Sequence, residues 1–126
     1  MKTIKFSMEI GVVSGYGHNN ADAANITIDT IGQYWQEEAR SVFAACGTYI
    51  SAVVSGANRT VYNTDWGCPI GGEVTFAISG SANPNFVTDM DAWKDAVLTV
   101  AKAMKSRLQQ STVTVEFVEV EMEYLN

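Results

Sequence analysis

The sequence predicts one α+β domain over residues 1–126, a ferredoxin-like two-layer sandwich with segment order β-α-β-β-α-β and an antiparallel sheet of strand order 4-1-3-2. Four segments alternate apolar and polar residues, two longer segments carry an apolar stripe at helical spacing, and no linker or repeat divides the chain. Because every segment has one apolar face, packing both helices on the sheet buries all these faces together. Right-handed crossovers then favour the strand order 4-1-3-2.

The first strand and the first helix follow from their apolar periodicity. Every second residue from Ile4 to Val12 is apolar, which is the pattern of a half-buried strand. After a glycine-rich stretch, an apolar stripe at helical spacing runs from Ile28 to Cys46. We expect the helix to end at Gly47, since glycine readily adopts the left-handed backbone that commonly follows a helix.

The middle of the chain predicts two strands and then the second helix. Residues 49–62 and 73–79 are rich in β-branched and aromatic side chains, with a bulge or kink expected at residues 56–58. An apolar stripe over residues 86–108 predicts the second helix, for which Thr88 and Asp91 resemble a capping box. Trp35 and Trp93 lie on the two helical stripes and are therefore predicted core residues.

The last strand, predicted over residues 112–124, changes its apolar phase between Phe117 and Val118. Such a change predicts a β-bulge, because residues on either side of it cannot otherwise share a face. The strand also carries a row of acidic residues, Glu116, Glu119, Glu121 and Glu123. We expect this row to pair with Lys2 and Lys5 on the neighbouring first strand rather than to bind a metal ion.

Composition and charge limit the classes of binding partner and the cellular compartment that the sequence predicts. The chain has 8 basic and 14 acidic residues, a net charge of -6, which disfavours nucleic acid and anionic membrane surfaces. No segment resembles a secretion signal or a membrane span, and Cys46 and Cys68 lack the spacing of a metal or redox motif. The sequence therefore predicts a cytoplasmic protein with no cofactor and no metal.

The predicted topology places several loops at one end of the sheet. The loop after strand one, the loop between strands two and three and the turn before strand four all emerge there. We expect a pocket for a small-molecule ligand where they meet. Its candidate residues are Tyr16, His18, Asp65, Trp66 and Cys68.

Each chemically reactive candidate also has an ordinary explanation. His18 is the only histidine, a residue type suited to acid–base catalysis near neutral pH, but a solvated loop histidine is the commoner case. Cys68 would be nucleophilic only with a lowered pKa, and the nearby Asp65 acts in the opposite direction. Trp66 is suited either to stacking on a ligand or to covering the edge of the core.

Three function classes stay open, in this order of preference. The first is a non-catalytic domain that acts through partner binding or self-association. For this class we expect a homodimer formed through an edge strand or through the exposed sheet face, where small residues such as Ser7 and Ala77 lie. The second is a small-ligand binding domain that uses the loop end. The third is an enzyme with His18 as general acid or base, assisted by Asp65 or Glu73.

Overall fold

A computed structural model describes residues 1–13 and 26–126 of the chain. The sheet is antiparallel, and its order β2-β3-β1-β4 is the predicted order 4-1-3-2 taken from the opposite edge. The fold is therefore α+β, with two helices and a four-stranded sheet. In chain order, the described elements are β1 (Lys2–Gly11), α1 (Ile28–Cys46), β2 (Val53–Thr60), β3 (Glu73–Ser81), α2 (Met90–Arg107) and β4 (Val115–Glu121), and a 3-10 turn spans Thr64–Trp66.

Both helices pack on the same face of the sheet, where Phe6 joins them. Its ring stacks on Trp35 of α1 with the ring centroids 5.4 Å apart, and it meets Trp93 of α2 at 5.9 Å. Both tryptophans are buried, which confirms the prediction that they belong to the core. The opposite face of the sheet, which carries Ser7 and Ala77, is turned away from both helices.

The structure confirms the cap that ends α1 and corrects the one that begins α2. Gly47 follows α1 with a φ of 73°, the left-handed conformation expected there. At the start of α2, the side chain of Asp89 accepts a hydrogen bond from the amide of Ala92 at 3.0 Å, so the predicted capping pair of Thr88 and Asp91 is wrong. The helix begins later than the stripe suggested, because the chain turns at residues 83–87 before entering it.

The predicted bulge in β4 is wrong, whereas the predicted bulge in β2 is confirmed. The pairing of β1 with β4 continues without a shift through Phe117 and Val118. The phase changes there because Val118 is an apolar residue on the face away from the helices, where it is 52% exposed. In β2 the pairing with β3 shifts between Ser55 and Asn58, the position at which an irregularity was expected.

The acidic row of β4 meets the first strand only in part as predicted. Lys2 lies 3.6 Å from Glu119, and the N-terminal amine lies 3.0 Å from Glu121. Lys5 is paired across the sheet with Val118 rather than with an acidic residue. These ion pairs are exposed, so each contributes little to the free energy of unfolding.

Candidate functional site

The candidate site is an open pocket of about 390 Å³ at one end of the sheet. Here β1 and β2 end, β3 begins, and the loop from α2 to β4 passes by. The strands contribute side chains from the face turned away from the helices. The lining residues are Glu9, Gly11, Thr60, Tyr62, Trp66, Glu73, Thr75, Gln110, Ser111, Thr112, Val113 and Thr114.

A tyrosine–glutamate pair forms one wall of the pocket. Glu73, the first residue of β3, is buried, and its Oε2 atom accepts a hydrogen bond of 2.9 Å from the hydroxyl of Tyr62. It makes no salt bridge with any Lys or Arg in residues 1–13 and 26–126. The described residues thus place a neutral donor, and no cation, against this carboxyl group.

Gln110 adds an oriented oxygen beside this carboxylate. Its Nε2 atom donates to the backbone oxygens of Val13 and Leu108, both at 2.9 Å, so its Oε1 atom is turned the other way, toward Gly11. A Cβ atom at Gly11 would overlap Oε1 of Gln110 and lie 2.7 Å from Oε1 of Glu73. Glycine therefore leaves room for two acceptor oxygens to lie against the same piece of backbone.

The charge of the pocket is negative. Glu9 and Glu73 line it, and none of its described lining residues is Lys, Arg or His. Glu9 is held by a hydrogen bond of 3.0 Å from Nδ2 of Asn58. Carboxylates in a concave surface without neutralising cations attract positively charged ligands and repel anions.

The loop between β2 and β3 places an aromatic side chain at the rim. Oδ1 of Asn63 accepts from the amide of Asp65 at 2.8 Å and starts the 3-10 turn, which ends at Gly67 with a φ of 94°. Trp66 on this turn is 76% exposed and lines the pocket. Its indole therefore offers a free ring face to a ligand at the pocket mouth.

The structure gives the five predicted site residues different positions. Trp66 lines the pocket, and Asp65 beside it is exposed and absent from the lining. Cys68 is buried, where its sulfur accepts from the amide of Tyr62 at 3.4 Å and thus fixes the backbone beside the pocket. Tyr16 and His18 lie outside the described residues, so their place in the site stays a prediction.

Sequence reasoning missed most of the residues that form the pocket. It considered Glu73 only as an assistant to His18, and it assigned no role to Tyr62, Gly11 or Gln110. The alternation of β3 placed Glu73 on the face away from the helices, which was the one available signal. Its burial and its hydrogen bond to Tyr62 depend on how two loops meet, and spacing along the chain does not encode that.

Over residues 1–13 and 26–126, no group of three or more His, Cys, Asp or Glu side chains is arranged to hold a metal ion. Neither described helix combines the length and the apolar character required to cross a membrane.

Fold and site together define a small α+β domain with an open, acidic pocket beside the sheet face that is turned away from both helices. The chain belongs to the SAM lyase family, whose sequence profile matches residues 1–126. Searches of the curated proteins and of the solved structures found no match.

Proposed function

We propose that this chain is a lyase that binds S-adenosylmethionine in the acidic pocket and cleaves a carbon–sulfur bond of its sulfonium group. The family match over residues 1–126 supports the reaction class. The observation that carries the proposal is the pocket itself, with the buried Glu73 held by Tyr62 and with no cationic side chain among its described lining residues.

The charges of the substrate suit this pocket. S-adenosylmethionine carries a positive sulfonium and a positive ammonium group against a single carboxylate, so it is a net cation at neutral pH. Glu9 and Glu73 supply the opposite charge. The side-chain oxygen of Gln110, which points toward Gly11, supplies an acceptor for an ammonium hydrogen. The sulfonium is attracted to aromatic ring faces as other onium ions are, and Tyr62 and Trp66 provide such faces.

Cleavage of the carbon–sulfur bond balances without an external reactant. When the bond to the aminobutyrate chain breaks, its electron pair goes to sulfur, and a neutral thioether, methylthioadenosine, leaves. The carbon that has lost its bond to sulfur then forms a new bond in one of two ways. The substrate's own carboxylate oxygen attacks that carbon and closes a lactone, or a base removes the proton on the adjacent carbon and leaves an alkene.

Glu73 has a role in either route. In the lactone route it balances the sulfonium charge and orients the chain so that the carboxylate oxygen is in line with the breaking bond. In the elimination route it is also the carboxylate within reach to accept the proton. The hydrogen bond from Tyr62 fixes the orientation of the carboxylate in both cases.

The test is to incubate the purified protein with S-adenosylmethionine in water enriched in oxygen-18 and to analyse the products by mass spectrometry. We expect methylthioadenosine and a four-carbon partner that contains no oxygen-18 when it is first formed. A lactone or an alkene identifies the route. A partner labelled from its first appearance indicates hydrolysis, and the absence of cleavage leaves the non-catalytic interpretation in place; either result contradicts the proposal.

We also propose that the sheet face turned away from both helices mediates self-association, as a homodimer. Ser7, Ala77 and Ser79 are small and half-buried on that face, and the apolar Val118 is 52% exposed there. The edge strand β2 is an alternative contact, because most of its residues are exposed. Sedimentation should give a dimer that Ala77→Lys dissociates. A monomer at micromolar concentrations and above would remove this idea.

A further inference from the structure

A second concave surface lies on the helix side of the molecule, away from the acidic pocket. It is a groove of about 530 Å³ between α1 and the chain leading into β2, and we call it the α1–β2 groove. Its lining is mainly apolar and includes Trp35, Phe43, Tyr49 and Val54. Phe43 and Tyr49 are 53% and 61% exposed, so the groove has aromatic side chains at its rim that the described part of the chain leaves uncovered.

The fold does not require a glycine at position 32. It lies inside α1, where glycine is less favourable than alanine by about 1 kcal/mol. A Cβ atom there would meet no heavy atom within 4 Å, and the backbone does not have a positive φ. Neither a close contact nor a special conformation therefore requires glycine at this position. Gly32 lines the groove. A ligand that lies directly against the helix backbone would explain why position 32 has no side chain.

The charge of the α1–β2 groove is opposite to that of the acidic pocket. Arg40 lines it, and its described lining contains no Asp or Glu. Arg40 makes no ion pair or hydrogen bond with residues 1–13 or 26–126. Arg107, which binds the carboxylate of the nearby Glu37 at 2.6 Å, is the main cause of the lowered pKa of Glu37, and the charge of Arg40 contributes to it weakly. In a chain with a net charge of -6, an apolar groove lined by one cation that makes no hydrogen bond within the described residues is a local exception that favours an anion.

We propose that the α1–β2 groove binds a small amphipathic anion, namely a planar apolar body that carries one carboxylate. The apolar body lies over Gly32 between Phe43 and Tyr49, and the carboxylate pairs with Arg40. The size suits a ligand of this kind, since small-molecule sites generally have volumes of about 300 to 1,000 Å³. This site is independent of the proposed lyase reaction, whose substrate is a cation.

The test is an NMR titration of the full chain with 2-naphthoate, compared with the neutral 2-naphthamide. We expect saturable shifts at the amides of Gly32 and Ala52, with a Kd of about 1 mM or tighter for naphthoate. Naphthamide should bind about tenfold more weakly, because it cannot make a charged pair with Arg40. Arg40→Gln should remove this difference between the two probes.

The substitution Gly32→Leu is designed to fill the α1–β2 groove and block ligand binding there. Its side chain has open space to enter, and leucine favours the helix, so the variant should unfold at a urea concentration at least as high as the wild type. We expect binding of both probes to weaken by about tenfold or more, while cleavage of S-adenosylmethionine stays unchanged. The smaller substitution Gly32→Ala should weaken naphthoate binding by less than Gly32→Leu does, because its methyl group covers less of the backbone over which the ligand lies.

Four outcomes would overturn this inference. Naphthoate could give no saturable shift at about 1 mM, or could shift only residues of the acidic pocket. Gly32→Leu could bind naphthoate as tightly as the wild type. Finally, Gly32→Leu could alter sedimentation and leave probe binding unchanged, which would identify the groove as a contact between copies of the chain.

Discussion

The hydroxyl of Tyr62 lies 2.9 Å from Oε2 of Glu73, and this contact joins the chain just beyond β2 to the first residue of β3. The two residues are separated along the sequence by a loop that carries Trp66 at the pocket rim. The contact thus fixes both the buried carboxylate and one end of the loop beside it. The proposed lyase site depends on this pair, of which the sequence analysis had named only Glu73, and only as an assistant to His18.

Tyr62→Phe should reduce the rate of S-adenosylmethionine cleavage without unfolding the protein. The substitution removes the donor that orients Glu73, and a hydrogen bond to a charged group corresponds to about 10- to 100-fold in rate. Steady-state measurement of kcat and KM tests this. The control Tyr124→Phe changes an exposed tyrosine outside the pocket and should retain full activity. Equal rates for both variants would show that the Tyr62 hydroxyl has no part in the reaction.

Gly11→Ala should impair activity more than stability. Its new methyl group must displace Gln110 and Glu73, but the ends of flexible side chains can move, so we expect a stability loss of no more than about 2 kcal/mol. Cleavage should fall by about tenfold or more, because both acceptor oxygens shift. Urea unfolding and kinetics on the same samples separate the two effects. Gly32→Ala, which meets no atom within 4 Å, is the matched control. Retention of full activity by Gly11→Ala would contradict this interpretation of the pocket.

The observed start of α2 can be tested with two alanine substitutions. Asp89→Ala removes the side chain that accepts from the amide of Ala92 and should lower the free energy of unfolding by about 1 kcal/mol. Thr88→Ala, at the exposed position predicted from the sequence, should change it by less than about 0.5 kcal/mol. Urea denaturation of both variants measures the difference. The reverse order would restore the cap predicted from the sequence.

Arg107 should make stability depend on pH through Glu37. Its guanidinium lies 2.6 Å from Oε2 of Glu37 and its cationic carbon 3.8 Å from the ring centre of Tyr34, so it joins α2 to α1. Hydrogen bonding from Arg107 is the largest cause of the lowered pKa of Glu37, with a smaller hydrogen-bond contribution from Gln33. Because the folded-state pKa lies below the ordinary 4.5, the stabilisation is complete above that pH and is lost as the pH falls through the folded value.

The measurement compares the wild type with Arg107→Met in urea at several pH values. The difference in the free energy of unfolding should be largest near neutral pH and should shrink below about pH 4. NMR titration of Glu37 should show its pKa rising in the variant. A difference between the proteins that is the same at every pH would indicate that Arg107 acts through packing on Tyr34 alone.

Much of the fold could be predicted because the spacing of apolar residues along each segment indicates its secondary structure. The stripe of α1 and the glycine after it identified that helix and its end, and alternation identified β1 and β3. The errors arose where an apolar residue was assumed to face the core. Val118 is apolar and lies on the face away from the helices, and Phe86 precedes α2 and is 66% exposed.

The site was less predictable for a physical reason. Trp66 was singled out as a candidate because a tryptophan in a polar turn is unusual in itself, and it lines the pocket. Glu73, Tyr62 and Gln110 are ordinary residues in the sequence, and only the meeting of β3 with two loops makes them a site. Gly11 is a further example. The side chains of Gln110 and Glu73 occupy the space that a Cβ atom at this position would need, and the sequence does not indicate this contact.

The most direct test of the proposed function is the rate of S-adenosylmethionine cleavage by Glu73→Gln, which keeps the size of the side chain and removes its charge. We predict a loss in kcat/KM of at least about 100-fold, with the thermal unfolding temperature nearly unchanged. Glu123→Gln, which removes a charge at an exposed position outside the pocket, should retain the rate of the wild type. Cleavage by Glu73→Gln at the wild-type rate would contradict the proposal that this carboxylate forms the reactive site.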